Sequence, residues 1–417
     1  LKDSIEDDSS TFSRVIYELG GNANQRLSAV LSRPINDKQK LFLYFDRHAY
    51  PGWMLRSFSR GTNIGGDYFI EDLKGFDVSL SLDGVIVDNE MNGGLSGTNY
   101  SISESQSQRD FGSVTSDIFL NDAYWRNTFL HANFDLIRHI SLNNGSDIKL
   151  GLKGDYLRQK FLYNDQDPDS AFYSGYNGDS INTPFRDSIR SNELSTSLFV
   201  GFSNKMDSNL FISSTTSLEI KNVNYFSNSL GQSFVNLSLC QELDLSSERF
   251  KLKASGAYFL SGFNSGDIHV ASRLIIGPRS DREANYGLRA ELSGRYSLFE
   301  PIMVFQYYEN ALGPNIVDYD KTSSIRGGFS LSNGFRKGKV NLSVEYEALA
   351  KSVYFRSDFS SIQYSETIQL ITPSLGFEYE GKVFKSQSRV LYQLNSQDSI
   401  YSLPEWVIQS NLALMFR

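Results

Sequence analysis

Four histidines, one cysteine and many serines and aspartates are the side chains of this sequence that could do chemistry. His48, His131, His139 and His269 show no His-x-His or His-Glu-x-x-His spacing, and no Cys-x-x-Cys occurs, so no transition-metal centre is expected. Cys240 sits in an alternating stretch, with Val235, Leu237 and Leu239 on one face and Asn236, Ser238 and Cys240 on the other. A thiol there is small filler, and alone it makes no intramolecular disulfide. Serine hydrolysis would need a nucleophile elbow, which is absent. His131 shares a strand face with Asn133 and Asp135, which reads as a polar wall rather than a catalytic group. Asp165-Gln166-Asp167-Pro168-Asp169 opens like a calcium loop, but Ser170 replaces the required glycine and Tyr176 the closing glutamate. The glycines of 61–66 run into Tyr68-Phe69-Ile70 with no helix behind them to present a phosphate-binding N-terminus. Neither an enzyme nor a cofactor is expected.

The elements that hold these residues are written as a two-residue period. Phe76, Val78, Leu80, Leu82, Gly84 and Ile86 interleave with Asp77, Ser79, Ser81 and Asp83. Phe250, Leu252, Ala254, Gly256, Tyr258 and Leu260 interleave with Lys251, Lys253 and Ser255. The same grammar returns at 286–296 and 340–347. Successive strand side chains point to opposite faces, so each segment has an apolar and a polar face. Ordinary strands run to about five or six residues, whereas a tilted bilayer crossing takes about nine to eleven. The length of these dyads predicts a single antiparallel transmembrane β-barrel of roughly 14–20 strands, with one domain over 1–417. The candidates run from 11–19 to 404–417 and include 112–120 and 301–309.

Composition agrees. The chain is 40% hydrophobic and 13% aromatic, and no run of about 20 apolar residues marks a membrane helix. The 40 basic against 48 acidic residues leave a net charge of −8 without a clustered basic tract, so no nucleic-acid partner is expected. The opening Leu1-Lys2-Asp3-Ser4 shows no leader, which predicts a mature or trimmed chain. Short connections rich in Asn, Asp and Gly, such as 144–146, 334–338 and 380–382, alternate with long polar ones near 89–111, 164–189, 309–321 and 352–364. Outer-membrane barrels have short periplasmic turns and long external loops. The long loops are therefore expected on one side, with Phe172, Tyr173, Tyr176 and Phe185 of 164–189 folding inward, facing a partner, or belonging to a merely solvated loop. A soluble β-sandwich or β-helix is the rival fold, and it would show no lipid-facing belt.

Asp88-Asn89-Glu90-Met91-Asn92-Gly93-Gly94-Leu95, then Ser113 to Ala123, then Leu403-Pro404-Glu405-Trp406 before a last strand, together resemble the Bacteroidota outer-membrane putative-porin family. The resemblance covers about residues 20–417. It implies a barrel of the bacterial outer membrane, with more strands after the Leu-Pro-Glu-Trp element than residues 407–417 could form.

Charge on a lipid face costs about 2–4 kcal/mol at mid-bilayer for Arg or Lys, so the charged register must face inward. That assigns Lys149, Lys153, Asp155, Lys251, Lys253, Arg289, Glu291, Arg295, Arg326, Glu345 and Glu347 to a pore lining. Leu150, Leu252, Leu288, Leu292, Leu342 and Val344 should then meet lipid. The expected function is passive diffusion of small hydrophilic solutes with weak charge selectivity. The competing reading is a non-conducting structural subunit of an outer-membrane assembly or secretion machine. Outer-membrane lipids are the expected partners, with other outer-membrane or periplasmic proteins in the second case.

Overall fold

Segments whose side chains alternate over this length pair with whatever precedes and follows them, and a computed structural model of the chain shows that meander. It describes residues 11–414 except 53–56, 92–119, 121, 143–144, 169–183, 208–209, 278–286, 311–312, 336, 356–360, 382, 399 and 401–402. The first strands are β1 (Phe12–Leu19), β2 (Gln25–Asn36), β3 (Gln39–Tyr50), β4 (Ser59–Leu73), β5 (Phe76–Met91) and β6 (Ala123–Ser141). The longest follow: β7 (Ser146–Asp165), β8 (Phe185–Asp207), β9 (Leu210–Ser227) and β10 (Leu230–Ser247). Next come β11 (Phe250–Ser261), β12 (Ile268–Ile276) and β13 (Gly287–Phe299), then a one-turn helix α1 (Met303–Gln306). A small hairpin, β14 (Tyr307–Asn310) and β15 (Gly313–Ile316), precedes β16 (Thr322–Phe335) and β17 (Gly338–Ala350). A second hairpin, β18 (Val353–Phe355) and β19 (Ser361–Gln363), precedes β20 (Thr367–Glu380), β21 (Phe384–Tyr392), β22 (Leu394–Asn395) and β23 (Trp406–Leu414).

Leaving out the two hairpins, 19 strands form one sheet in which consecutive strands from β1 to β21 pair antiparallel along the chain, and β23 pairs with β21. β22 continues β21 after Gln393, since both pair with β20. Among the described residues β1 pairs with β2 and β23 with β21, and no pairing joins β1 to β23. The candidate strand at 112–120 falls at residues outside the described ones, apart from Leu120. The expected strand at 301–309 is corrected: Pro301 blocks a ladder donor, and the segment becomes α1 and the start of β14. The connections at 309–321 and 352–364 are likewise not structureless, because each contributes a hairpin.

Antiparallel alternation sorts the connections by end. Those at 37–38, 74–75, 142–145, 208–209, 248–249 and 336–337 share one end, as does 277–286. Those at 51–58, 92–122, 166–184, 300–321, 351–366 and 396–405 share the other, as does the two-residue turn at 228–229. The two longest expected loops thus leave the sheet from the same end, and most of their residues lie outside the described ones.

At the turn end, Gly75 takes a φ of +87° beside Asp72 and Lys74 at +56° and +55°, as tight hairpin turns require. Asp72 receives Lys38 Nζ of the neighbouring turn at 2.6 Å. That hydrogen bond and charge hold the Asp72 carboxyl below its ordinary value and lift the Lys38 ammonium above its own. The Asp72 contribution is present above the ordinary carboxylate pKa of about 3.9 and is lost as pH falls through the depressed value. The Lys38 contribution is present below about 10.4 and is lost as pH rises through the raised value. Both groups are fully solvated, so the stability change is small. A carboxyl-carbon NMR titration should place Asp72 below about 3.9 in the wild type, and a side-chain amine titration should show Lys38 lowered in Asp72→Asn; an Asp72 titration at or above about 3.9 contradicts the tie.

The loop end is held by buried polar groups. Asp267, 1% exposed, accepts from Lys321 Nζ, from Asn264 Nδ2 at 2.8 Å and from the Glu300 backbone N–H at 3.0 Å. Lys321 also lies 3.4 Å from Glu300. The β14–β15 hairpin springs from between β13 and β16 yet packs against β8, β9 and β10. Tyr308 donates to Asp187 at 2.8 Å, and the Tyr307 ring lies 5.9 Å from that of Phe234. Beneath it Val223, Tyr225, Ser227 and Asn236 are buried.

Candidate functional site

Strand pairing carries one register of side chains across the whole sheet, so its two faces differ throughout. On one face Leu150, Leu288, Leu292, Leu342 and Val344 are exposed, as are Leu80, Leu194, Leu198, Leu218 and Leu375. Leu252, expected on the same face, is half-buried there. Water would penalise such a surface heavily, and hydrocarbon would not. Aromatic residues flank it: Phe335 stacks with Phe377 and Tyr379 with Phe384 near the turns, and Tyr392 meets Trp406 near the loops.

The opposite face is concave and charged. A cavity of about 550 Å³ is lined from six neighbouring strands, β12, β13, β16, β17, β20 and β21. Its basic side chains are Arg273, Arg289, Arg326, Lys339 and Arg389, against Glu291, Glu345 and Glu378. Its floor is small: Ser332, Ser343 and Ser374 are buried, and Ser343 and Ser374 hydroxyls lie 2.7 Å apart. Gly328 belongs to this floor because a Cβ there would lie 2.8 Å from the Ser293 hydroxyl. A second cavity of about 520 Å³ shares Arg273, Ser293 and Arg326 with the first and adds Glu242, Asp244, Lys253 and Arg295.

Of the residues assigned from sequence, Lys253, Arg289, Glu291, Arg295, Arg326 and Glu345 line one or both cavities. Glu347 joins them through Arg326 at 2.6 Å, and Lys251 lies 3.8 Å from Asp244. Lys149, Lys153 and Asp155 share the polar register on β7 but lie apart from both cavities. Lys153 Nζ stands 5.2 Å over the Phe199 ring. Asp155 lies 2.6 Å from His131 Nε2, and His131 Nδ1 is 3.7 Å from Asp83. Asp83 also takes the Tyr44 hydroxyl. Arg273 grips Glu291 with two hydrogen bonds of 2.7 and 2.8 Å, leaving Arg289 at 3.9 Å from the same carboxylate.

Sequence reasoning missed Arg273, Lys339, Glu378 and Arg389. Lys339 extends the same alternation as Asn341, Ser343 and Glu345, so that signal was present. Arg389 was hidden because Ser386 and Ser388 on its opposite face leave little contrast. Among the described residues no cluster of three His, Cys, Asp or Glu side chains is placed to hold a metal ion.

The sequence matches the putative-porin family over residues 7–417. The chain belongs to that family. It is accordingly a β-barrel of the bacterial outer membrane. No curated protein matches the chain. Solved structures similar to this porin-family barrel include the copper transporter OprC, at 9% identity and a TM-score of 0.68, covering 98% of this chain and 65% of that one. The ferric-catecholate import receptor Fiu of E. coli K12 aligns at 9% identity and a TM-score of 0.65, over 97% and 69%. The RagAB peptide transporter aligns at 12% identity and a TM-score of 0.51, over 89% and 50%. The chain thus spans about half to two thirds of the length of these proteins. At such identities the likeness is one of fold.

Proposed function

We propose that this barrel is a non-enzymatic outer-membrane channel through which small hydrophilic solutes diffuse passively. The observation that supports the reading is the pair of polar cavities that share Arg273, Ser293 and Arg326 on the charged face. Its lining is Lys251, Lys253, Arg289, Glu291, Arg295, Arg326, Glu345 and Glu347, with Lys149, Lys153 and Asp155 on the β7 part of the wall. Both signs of charge are present and many are neutralised in pairs, so selectivity between ions is weak. The Bacteroidota origin is read from the motifs at 88–95, 113–123 and 403–406.

The hairpin laid over β8–β10 favours a second reading, a non-conducting barrel that serves as a structural subunit with other outer-membrane or periplasmic proteins. Planar-bilayer recording separates the two. Stable single-channel steps with a reversal potential near zero in a salt gradient are expected. Silence in the bilayer, together with reproducible co-purifying proteins, would favour the subunit.

A further inference from the structure

The lipid-facing register ends abruptly on one side of the barrel. On β8 it runs from Phe202 to Leu194, and on β7 from Ile148 to Tyr156. Eight residues at about 3.3 Å each make roughly 26 Å along the strand, or about 20 Å across the bilayer at the usual tilt, most of the ~25 Å apolar band of such barrels. Toward the loop end the same register then turns basic, with Arg158 and Lys160 on β7, Arg190 on β8, Arg126 on β6 and Arg60 on β4. Lys160 stands directly opposite Arg190, and Arg126 and Arg60 flank Asp88 in one row. On β11, β13 and β17 the same register carries the exposed tyrosines Tyr258, Tyr296 and Tyr346.

These cations are short of counter-charge. Asp88 binds both Arg60, at 2.6 Å, and Arg126. Among the described residues Arg158, Lys160 and Arg190 have no acidic partner within 4 Å. The Arg190 guanidinium is stacked 4.3 Å over Phe226, and its buried Nε has no hydrogen-bond partner. Like charges directly across a strand pair are destabilising, so the Lys160–Arg190 pair is incomplete without an anion. Long loops mark the external end, which puts the row at the headgroup level of the outer leaflet. We propose that this patch binds the phosphate groups of an outer-leaflet glycolipid whose acyl chains lie on the apolar band below. Arginine forks match phosphate oxygens in pairs, and continuity with the band selects a membrane-anchored ligand over free phosphate.

The full chain is reconstituted in phosphatidylcholine vesicles containing a small fraction of bisphosphorylated lipid A, extracted, and weighed by native mass spectrometry. Wild type should retain lipid A, and the triple variant Arg158→Gln, Lys160→Gln, Arg190→Gln should bind it more weakly by on the order of a hundredfold. Arg138→Gln, in the same register at the turn end, should retain it as wild type does, and the exposed single change Arg158→Gln should give a partial loss without risk to folding. The proposal is overturned if both the triple and the single variant hold lipid A as wild type does, or if dephosphorylated lipid A or free inorganic phosphate at equal concentration binds as well.

Discussion

If the proposed channel is right, a barrel in which residues 308–316 are replaced by a short glycine–serine link is expected to conduct at least about twofold more current than the wild type, because the hairpin packed across β8–β10 is gone. The hairpin β14–β15 leaves the wall between β13 and β16 and reaches β8, five strands from β13, on the face that carries Asp187. It is fixed there by Tyr308 on Asp187 and by Tyr307 against Phe234 and Phe263. Its removal takes away no sheet hydrogen bond of the barrel, so strand content should stay as it is by circular dichroism. Tyr308→Phe is the milder form: one hydrogen bond to a carboxylate, a contact of about 1.5–3 kcal/mol, is lost and the hairpin lifts more often, seen as noisier current. Equal conductance in wild type and excision variant would show that the hairpin stands clear of the path.

Asp267→Ala should cost about 2–4 kcal/mol of stability, because two buried donors lose their acceptor and one ion pair is broken while Lys321 keeps Glu300. Lys321 would be left with Glu300 alone, and Asn264 and the Glu300 backbone N–H would each lose an acceptor. Those three groups tie the turn at 262–267 to the segment that launches α1 and the hairpin, so damage should spread toward the mouth. Urea titration of the folded barrel in detergent micelles reports the cost, and limited proteolysis within 300–321 reports its location. Asp267→Asn keeps the shape and one acceptor oxygen and should lose less. A midpoint unchanged in Asp267→Ala would mean that the cluster contributes nothing net.

The staves of this barrel were legible from side-chain alternation because one face needs hydrocarbon and the other needs water. The dyad at 76–86 appears as β5, the one at 250–260 as β11, and the one at 340–347 within β17. Strand ends were less legible: β8 extends well before 190, since Arg186, Ser188 and Arg190 on its lipid register stand beyond the hydrocarbon and are free to be polar. The segment 301–309 looked like a strand because Ile302, Val304 and Tyr308 alternate, but the proline and the pull of Asp187 and Phe234 redirected it. The charged register was legible as a set, and its partition into cavities was not. Which arginine meets which glutamate follows from register between strands far apart in sequence, as with Arg326 and Glu347, and no single strand records it.

A wall built on a period of two constrains inheritance in an unusual way. Exchanging one apolar residue for another on the apolar side keeps the alternation, so residue identity there is loosely constrained; OprC, at 9% identity, has a similar fold over 98% of this chain. Losing a single residue inside Thr322–Phe335 is a different event. It would turn Arg326 toward lipid and Phe329 toward water, inverting the rest of the stave. Length changes inside staves are therefore tolerated in pairs, or where a bulge absorbs the slip, as between Leu237 and Ser238. Single-residue indels in descendants of this gene should accumulate in the connections, and a frame of alternating polarity should outlast any recognisable string of letters.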